Sequence, residues 1–371
     1  MRLLPVLAAI LLTTTLAGCS LAPPAPAVQE SYQARGFDGE TWPRLDNVTL
    51  TILDHGAFGA FDDAARLFEA LTGAQVVHVE ADDSGSALQR AAREKGDPTF
   101  DVIYGIDNVL WTRALDEGIF EPYEPLLADR IDPAYRFANG WEATPVDHGF
   151  IGVNVDEAKL GAQVLSLDEL RAHAASFVTQ DPRTSTPGLG FLLATIATYG
   201  DAWPAYWSDL FEGGVLVTSG WTEAYEQHFS GGYGVDYGGL GDRAIVTSYT
   251  SSPAYESYFG RDPSALATAL VAPESTFHQI QTMGVAKGTK NLAAAQAWIE
   301  FTLTEDFQAL AAPGNAVYPV TIGIDTDTTY GEHDPEPGTF APAQFDAETL
   351  GAQLEGWIAR WTQLCEQHDC A

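Results

Sequence analysis

Between Val48 and Gly105 the chain alternates two patterns, and that alternation restricts it to an α/β sheet with parallel neighbours. The run Val48-Thr49-Leu50-Thr51-Ile52-Leu53 is apolar and β-branched and stops at Asp54-His55-Gly56. Phe61, Ala64, Ala65, Phe68 and Leu71 then recur three and four residues apart, which predicts a helix ending at Thr72-Gly73. Val76-Val77-His78-Val79 reads as a second strand. A helix carrying Leu88, Ala91 and Ala92 follows Asp82-Asp83-Ser84-Gly85, and Asp101-Val102-Ile103-Tyr104-Gly105 is the third strand. Strands joined through helices pair in parallel by right-handed crossovers. Ligands in such sheets bind at the C-terminal ends of the strands.

The same logic resumes downstream. Val146 to Asn154, after the breaker Pro145, is an apolar strand suited to cross between two lobes. Helices are expected around Leu167 to Ala174 and from Leu189 to Tyr199, with strands at Phe177 to Gln180, Val215 to Val217 and Ala244 to Tyr249. Ser230 to Gly241, rich in glycine, tyrosine and aspartate, reads as a mobile loop. Leu292 to Leu303 and Thr349 to Cys365 complete the helices; Leu354, Trp357, Ile358 and Trp361 share one face of the last and predict core packing.

Ahead of this, Arg2 precedes an apolar run from Leu3 to Leu12, then small residues and Cys19, a secretion signal too short to span a bilayer permanently. Leu16-Ala17-Gly18-Cys19 resembles the bacterial lipoprotein cleavage box, in which the cysteine becomes the N-terminus and carries the lipid. The prolines of Ser20 to Pro26 keep the next stretch extended, as a tether. About 350 residues remain, more than one core usually organises. The expected division is a signal peptide at 1–18, lipidated cysteine and tether at 19–47, one lobe at 48–145 and a second at 146–275. Residues 276–371 would complete the lobes and supply the C-terminal helix. The chain is thus expected outside the cytoplasm, anchored to the outer face of the cell membrane.

A formal charge of -33 repels nucleic acid and permits a cationic ligand. With Cys19 lipidated, Cys365 and Cys370 remain, and a short-loop disulfide between them suits an oxidising compartment. No cysteine or histidine cluster accompanies them, so no metal site and no cofactor is expected. Enzyme templates are missing too: there is no G-x-S-x-G elbow, H-E-x-x-H or P-loop.

Polar and aromatic residues instead follow the predicted strands. Ser185 and Thr186 stand in a polar turn entering an apolar helix, where free N–H groups and hydroxyls can hold an anion or polar ligand. Asp83 and Ser84 open another helix in the same way. Trp221 lies at a strand-to-helix junction, and Tyr249 and Tyr255 flank another strand end. Each aromatic face attracts a cation by about 0.5–2 kcal/mol, so a cluster could hold a cationic heterocycle.

The runs Asp181 to Gly190, Gly220 to Tyr225 and Ser248 to Tyr255 resemble the thiamine-binding proteins of bacterial ABC importers. Tyr104-Gly105-Ile106-Asp107-Asn108, Val146-Asp147-His148-Gly149 and Gly314 to Val320 fall in the family's order as well. The resemblance implies a two-lobed periplasmic-binding-protein fold of type II, closing on thiamine or its phosphate esters and presenting it to a membrane permease. It implies that Asp83, Ser84, Ser185 and Thr186 meet the hydroxyethyl or phosphate end, while Trp221, Tyr249 and Tyr255 enclose the ligand. Two positions depart: Leu53 and Ala316 stand where the family has a tyrosine and a tryptophan, with Phe58, Phe61 and Trp111 as the candidates to compensate. Two other readings are ferric iron, a polyamine or another small cation in the same fold, and a secreted hydrolase using Ser185 with His55 or His148 as base.

Overall fold

The β-branched run at the start forms β1 (Thr49–Asp54), followed by α1 (Phe61–Thr72), β2 (Gln75–Glu80), α2 (Ser84–Glu94) and β3 (Val102–Asp107). The computed structural model describes residues 41–55, 58–81, 83–136, 140–258, 262–270, 272–324 and 341–370. The expected signal, Cys19 and the tether as far as residue 40 lie outside these. Next come α3 (Trp111–Glu117), β4 (Phe120–Glu121), β5 (Thr144–Val155), α4 (Glu157–Leu160), α5 (Leu167–Ala172), β6 (Phe177–Gln180) and α6 (Thr186–Tyr199). After them run α7 (Trp203–Glu212), β7 (Leu216–Thr218), β8 (Ile245–Tyr249), α8 (Ser252–Tyr258), β9 (Thr268–Leu270) and β10 (Phe277–Ala286). The series closes with α9 (Leu292–Thr302), α10 (Glu305–Asn315), β11 (Tyr318–Pro319) and a C-terminal helix, Ala347–Gln367.

Strands run in the order β2-β1-β3-β10-β5-β8-β6-β7. β1 pairs in parallel with β2 and β3, and β6 with β7 and β8, which gives one parallel set per lobe. Between the sets, β5 and β10 run antiparallel to each other; β10 also pairs with β3, and β5 with β8. Register then decides where the strand ends point. Asp107, at the end of β3, is opposite Gln281, which is opposite Asp147 of β5. Tyr249, at the end of β8, is opposite Ile151, a few residues along the same strand. The C-terminal ends of the two parallel sets therefore face each other across the middle of β5 and β10.

Each set has its own core. In the first lobe α1, α9 and α10 pack Phe68, Trp298, Phe301 and Phe307 against β1 and β3. In the second, α6 and α7 bring Phe191, Trp207 and Leu210 onto β5, β6 and β8. The C-terminal helix completes this second core: Trp361 is buried, 5.5 Å from Trp207 and edge-on to it. Cys365 and Cys370 are joined at the end of this helix by a disulfide, with Cα atoms 5.0 Å apart.

The longest elements without a counterpart in the sequence reading are β10, α7 and α10. β10 interleaves His278, Gln279 and Gln281 with its apolar residues, so no continuous β-branched run marks it. The segment 230–241, expected as a mobile loop, is a docked turn. It contains a 3-10 turn at Tyr233–Tyr237, and its Gly234 and Gly239 pack onto the backbone of Glu226 so closely that a Cβ at either would sit 2.1 Å from that carbonyl oxygen. Glycine there permits close approach.

Candidate ligand-binding site

The second lobe supplies five of the expected residues from three adjacent strand exits. Ser185 caps α6, its Oγ accepting from the Gly188 N–H at 3.5 Å, and Thr186 is the helix's first residue. The helix can begin so close to β6 because residue 188 is glycine; a Cβ there would lie 2.3 Å from the Gln180 carbonyl oxygen. The Thr184 hydroxyl donates to the Ser219 carbonyl at 2.6 Å and so ties this turn to the exit of β7. There Trp221 stacks on Tyr225 at 4.6 Å and donates from Nε1 to Ser248 Oγ at 2.8 Å. Ser248 precedes Tyr249 and lies 2.9 Å from the hydroxyl of Ser252, at the start of the helix that carries Tyr255. One hydrogen-bonded chain thus unites the turns of Ser185, Trp221, Tyr249 and Tyr255.

Asp83 and Ser84 stand on the first lobe, at the start of α2. Asp83 Oδ1 caps that helix by accepting from the Ser86 N–H at 2.7 Å, while Ser84 Oγ is buried and has no partner. The two halves meet through the crossing strands. The Tyr249 hydroxyl donates to Gln279 Oε1 at 3.0 Å, and Gln279 Nε2 donates to Asp107 Oδ2 at 2.9 Å. Asp107 Oδ1 in turn accepts from the N–H groups of Val109 and Leu110, both at 3.0 Å. This relay connects an aromatic of the second lobe to a strand end of the first.

A second polar group lies beside it. The Tyr104 hydroxyl donates to Asp147 Oδ2 at 2.6 Å, and Asn315 Nδ2 donates to the Tyr104 oxygen at 3.4 Å. Asn315 Oδ1 accepts from the Ala60 N–H at 3.0 Å, and the Ser251 hydroxyl donates to the Ala316 carbonyl at 2.7 Å, so the segment 314–316 braces both lobes. Burial pushes the Asp147 carboxyl up to about 7, against the hydrogen bonds of Tyr104 and Gln281, which lower it. Burial likewise raises Asp107 and, joined by the charges of Asp107 and Asp147, raises Tyr249 well above an ordinary phenol.

Phe58, Phe61 and Trp111 are all buried: Phe58 packs 5.6 Å from Phe61 and 4.9 Å from Tyr104, and Trp111 stacks near Phe120. Leu53 also points into the core, among Ala87, Leu88 and Ile103. The hydrolase arrangement is not assembled, since Ser185 is a helix cap and His148 lies 3.2 Å from His278, stacked between Tyr135 and Tyr318. Sequence reasoning overlooked Gln279, Gln281 and Asn315 as parts of this network. The period-two alternation of β10 was the available signal for the glutamines.

A two-lobed sheet with helix starts and aromatic residues around a cleft is the architecture of a solute-binding protein. Residues 55–309 match the family described as bacterial extracellular solute-binding protein, and the chain belongs to it. The chain is 30% identical to the thiamine-binding periplasmic protein of Escherichia coli (strain K12) over 333 residues, 86% of this chain and 94% of the other. A solved periplasmic thiamin binding protein superposes with a TM-score of 0.73 at 28% identity, covering 85% of this chain and 96% of that one. Iron-bound HitA from Pseudomonas aeruginosa shares the fold with a TM-score of 0.69 at 16% identity, covering 85% of this chain and 99% of that one. The chain is a solute-binding protein of type II fold, not an enzyme.

The raised carboxyl of Asp147 sets a pH dependence. Its ordinary value is 3.8, so the folded state bears no ionisation cost below about pH 4 and the full cost above about 7. Stability attributable to this group therefore falls as pH rises through that window. Urea unfolding should find Asp147→Asn more stable relative to the unsubstituted protein at pH 8 than at pH 5; an equal difference at both would contradict the assignment.

Proposed function

We propose that this protein captures thiamine, or its mono- or diphosphate, outside the cytoplasm and delivers it to the permease of an ABC importer. The observation that carries this reading is the hydrogen-bonded chain that groups Ser185, Trp221, Tyr249 and Tyr255 at adjacent exits of the second lobe. Trp221 is stiffened by its stacking on Tyr225 and its bond to Ser248, so its face is held in place for a flat cationic ring. The start of α6 offers N–H groups and the positive end of a helix dipole to a hydroxyl or phosphate. The names of the Escherichia coli relative and of the solved thiamin binding protein support the same cargo. Capture would proceed by hinge closure of the lobes around β5 and β10.

Among the described residues, no three His, Cys, Asp or Glu side chains are grouped to hold a metal ion.

The lipid on Cys19 and the tether behind it would keep the carrier near its permease and raise its effective concentration there. Membrane fractionation tests the anchor: Cys19→Ser should move the protein to the soluble fraction, and unchanged membrane retention would remove the anchor from the account. Titration calorimetry tests the ligand. Thiamine or one of its phosphates should bind, and Trp221→Ala should weaken binding by about tenfold or more with unchanged thermal unfolding. No heat with any of the three compounds would overturn the reading.

A further inference from the structure

Behind Trp221 a set of polar side chains closes on itself. Trp221 Nε1 donates to Ser248 Oγ at 2.8 Å, and Ser248 Oγ lies 2.9 Å from Ser252 Oγ. The Ser252 hydroxyl is hydrogen-bonded with the phenol of Tyr225, whose ring returns beneath Trp221, stacked on it at 4.6 Å with the planes 14° apart. The Tyr225 hydroxyl also donates to Glu256 Oε1 at 3.0 Å, and the Tyr233 N–H donates to the same oxygen at 3.0 Å. The two ends of this chain fix its direction. An indole N–H can only donate and a carboxylate can only accept, so each hydroxyl between them donates onward, from Ser248 to Ser252, to Tyr225 and to Glu256. Tyr225 and Glu256 are 1% and 3% exposed and have no surface to offer a ligand.

The backbone around Tyr225 is built to keep it there. The segment Glu223–His228 is wound as a π-helix, a wider turn than the α-helix and one found mostly at functional sites. Gly232 brings the turn of residues 230–241 onto Tyr225; a Cβ there would lie 2.8 Å from the Tyr225 carbonyl oxygen and 2.9 Å from its ring Cε1. Burial, joined by the charge of Glu256, holds the Tyr225 phenol well above its ordinary range, so it remains a donor. Glu256 follows Tyr255 in α8, and the last acceptor of the chain therefore belongs to the helix that carries another of the expected aromatic residues.

We infer that Tyr225 and Glu256 are positioning residues, which hold the face of Trp221 and its spacing from Tyr255 without touching the ligand. The cargo used to test this rests on the thiamine reading. A ring fixed before capture loses less conformational freedom when the ligand arrives, so the arrangement raises affinity without adding a contact. Stacking alone fixes the distance between the rings of Trp221 and Tyr225 but leaves them free to slide. The bonds through Ser248 and Ser252 remove that freedom, and Glu256 secures the far end of the chain.

Calorimetry with thiamine tests the role in variants checked for folding by circular dichroism. Tyr225→Phe, which keeps the stacked ring and drops the hydroxyl, should bind about fivefold more weakly or worse. Glu256→Leu should lose about tenfold, and Glu256→Gln, which keeps an acceptor for Tyr225, should recover most of that loss. The effect should pass through Trp221, so adding Tyr225→Phe to Trp221→Ala should cost less than about twofold. A second readout needs no ligand. In protein labelled with fluorotryptophan, the fluorine resonance that Trp221→Phe removes should be a single line, broadened or split by Tyr225→Phe. An unchanged line in Tyr225→Phe, unchanged thiamine affinity in that variant, or a loss that persists in full without Trp221 overturns the positioning role and leaves the thiamine reading standing. A broadened or split line, with no thiamine bound by the unsubstituted protein, would keep the positioning of Trp221 and remove the thiamine reading. An unchanged line with no thiamine bound overturns both.

Discussion

The antiparallel pairing of β5 with β10 is the constraint on which the rest of the structure depends. Neither strand belongs to one lobe alone: β10 hydrogen-bonds to β3 on one side, and β5 hydrogen-bonds to β8 on the other. Because both outer sets are parallel, each directs its free strand ends and helix starts toward that central pair. Two unrelated sets of polar and aromatic turns are thereby opposed across one cleft. The fold-sharing iron-bound protein shows that this architecture alone does not choose a cargo. The side chains at the strand ends do.

Those side chains form two hydrogen-bonded groups with different consequences. Tyr249, Gln279 and Asp107 link one lobe to the other through the crossing strand, and Asp107 also holds the start of α3. A ligand touching Tyr249 thus contacts a side chain already coupled to the opposite lobe. Tyr104, Asp147 and Asn315 make the second group, braced where Ser251 reaches the Ala316 carbonyl. Burial, joined by the carboxyls of Asp107 and Asp147, keeps the Tyr249 phenol protonated. The two carboxyls also give the cleft floor a negative character that the chain's overall charge of -33 reinforces at longer range.

Much of this was legible in the sequence where one physical signal dominated. The alternation of apolar strands and amphipathic helices marked β1 to β3, and the helix expected from Leu189 to Tyr199, which begins at Thr186, and the final helix announced themselves by apolar spacing. The placement of Ser185, Trp221 and Tyr249 after strands followed from the same pattern. β10 escaped because Gln279 and Gln281, with His278 beside them, break the apolar run that identifies a strand. Its invisibility and its function have one cause. Spacing reveals an aromatic stripe but not which way it faces, so the surroundings of Phe58, Phe61 and Trp111 were not legible. Phe58 and Phe61 pack against the first core.

Native mass spectrometry of the protein purified after export tests the central claim most directly, because a retained cargo reports its own mass. The account predicts one molecule of thiamine or of a thiamine phosphate per chain. A ferric ion, a sugar phosphate or any other molecule held in its place would contradict it.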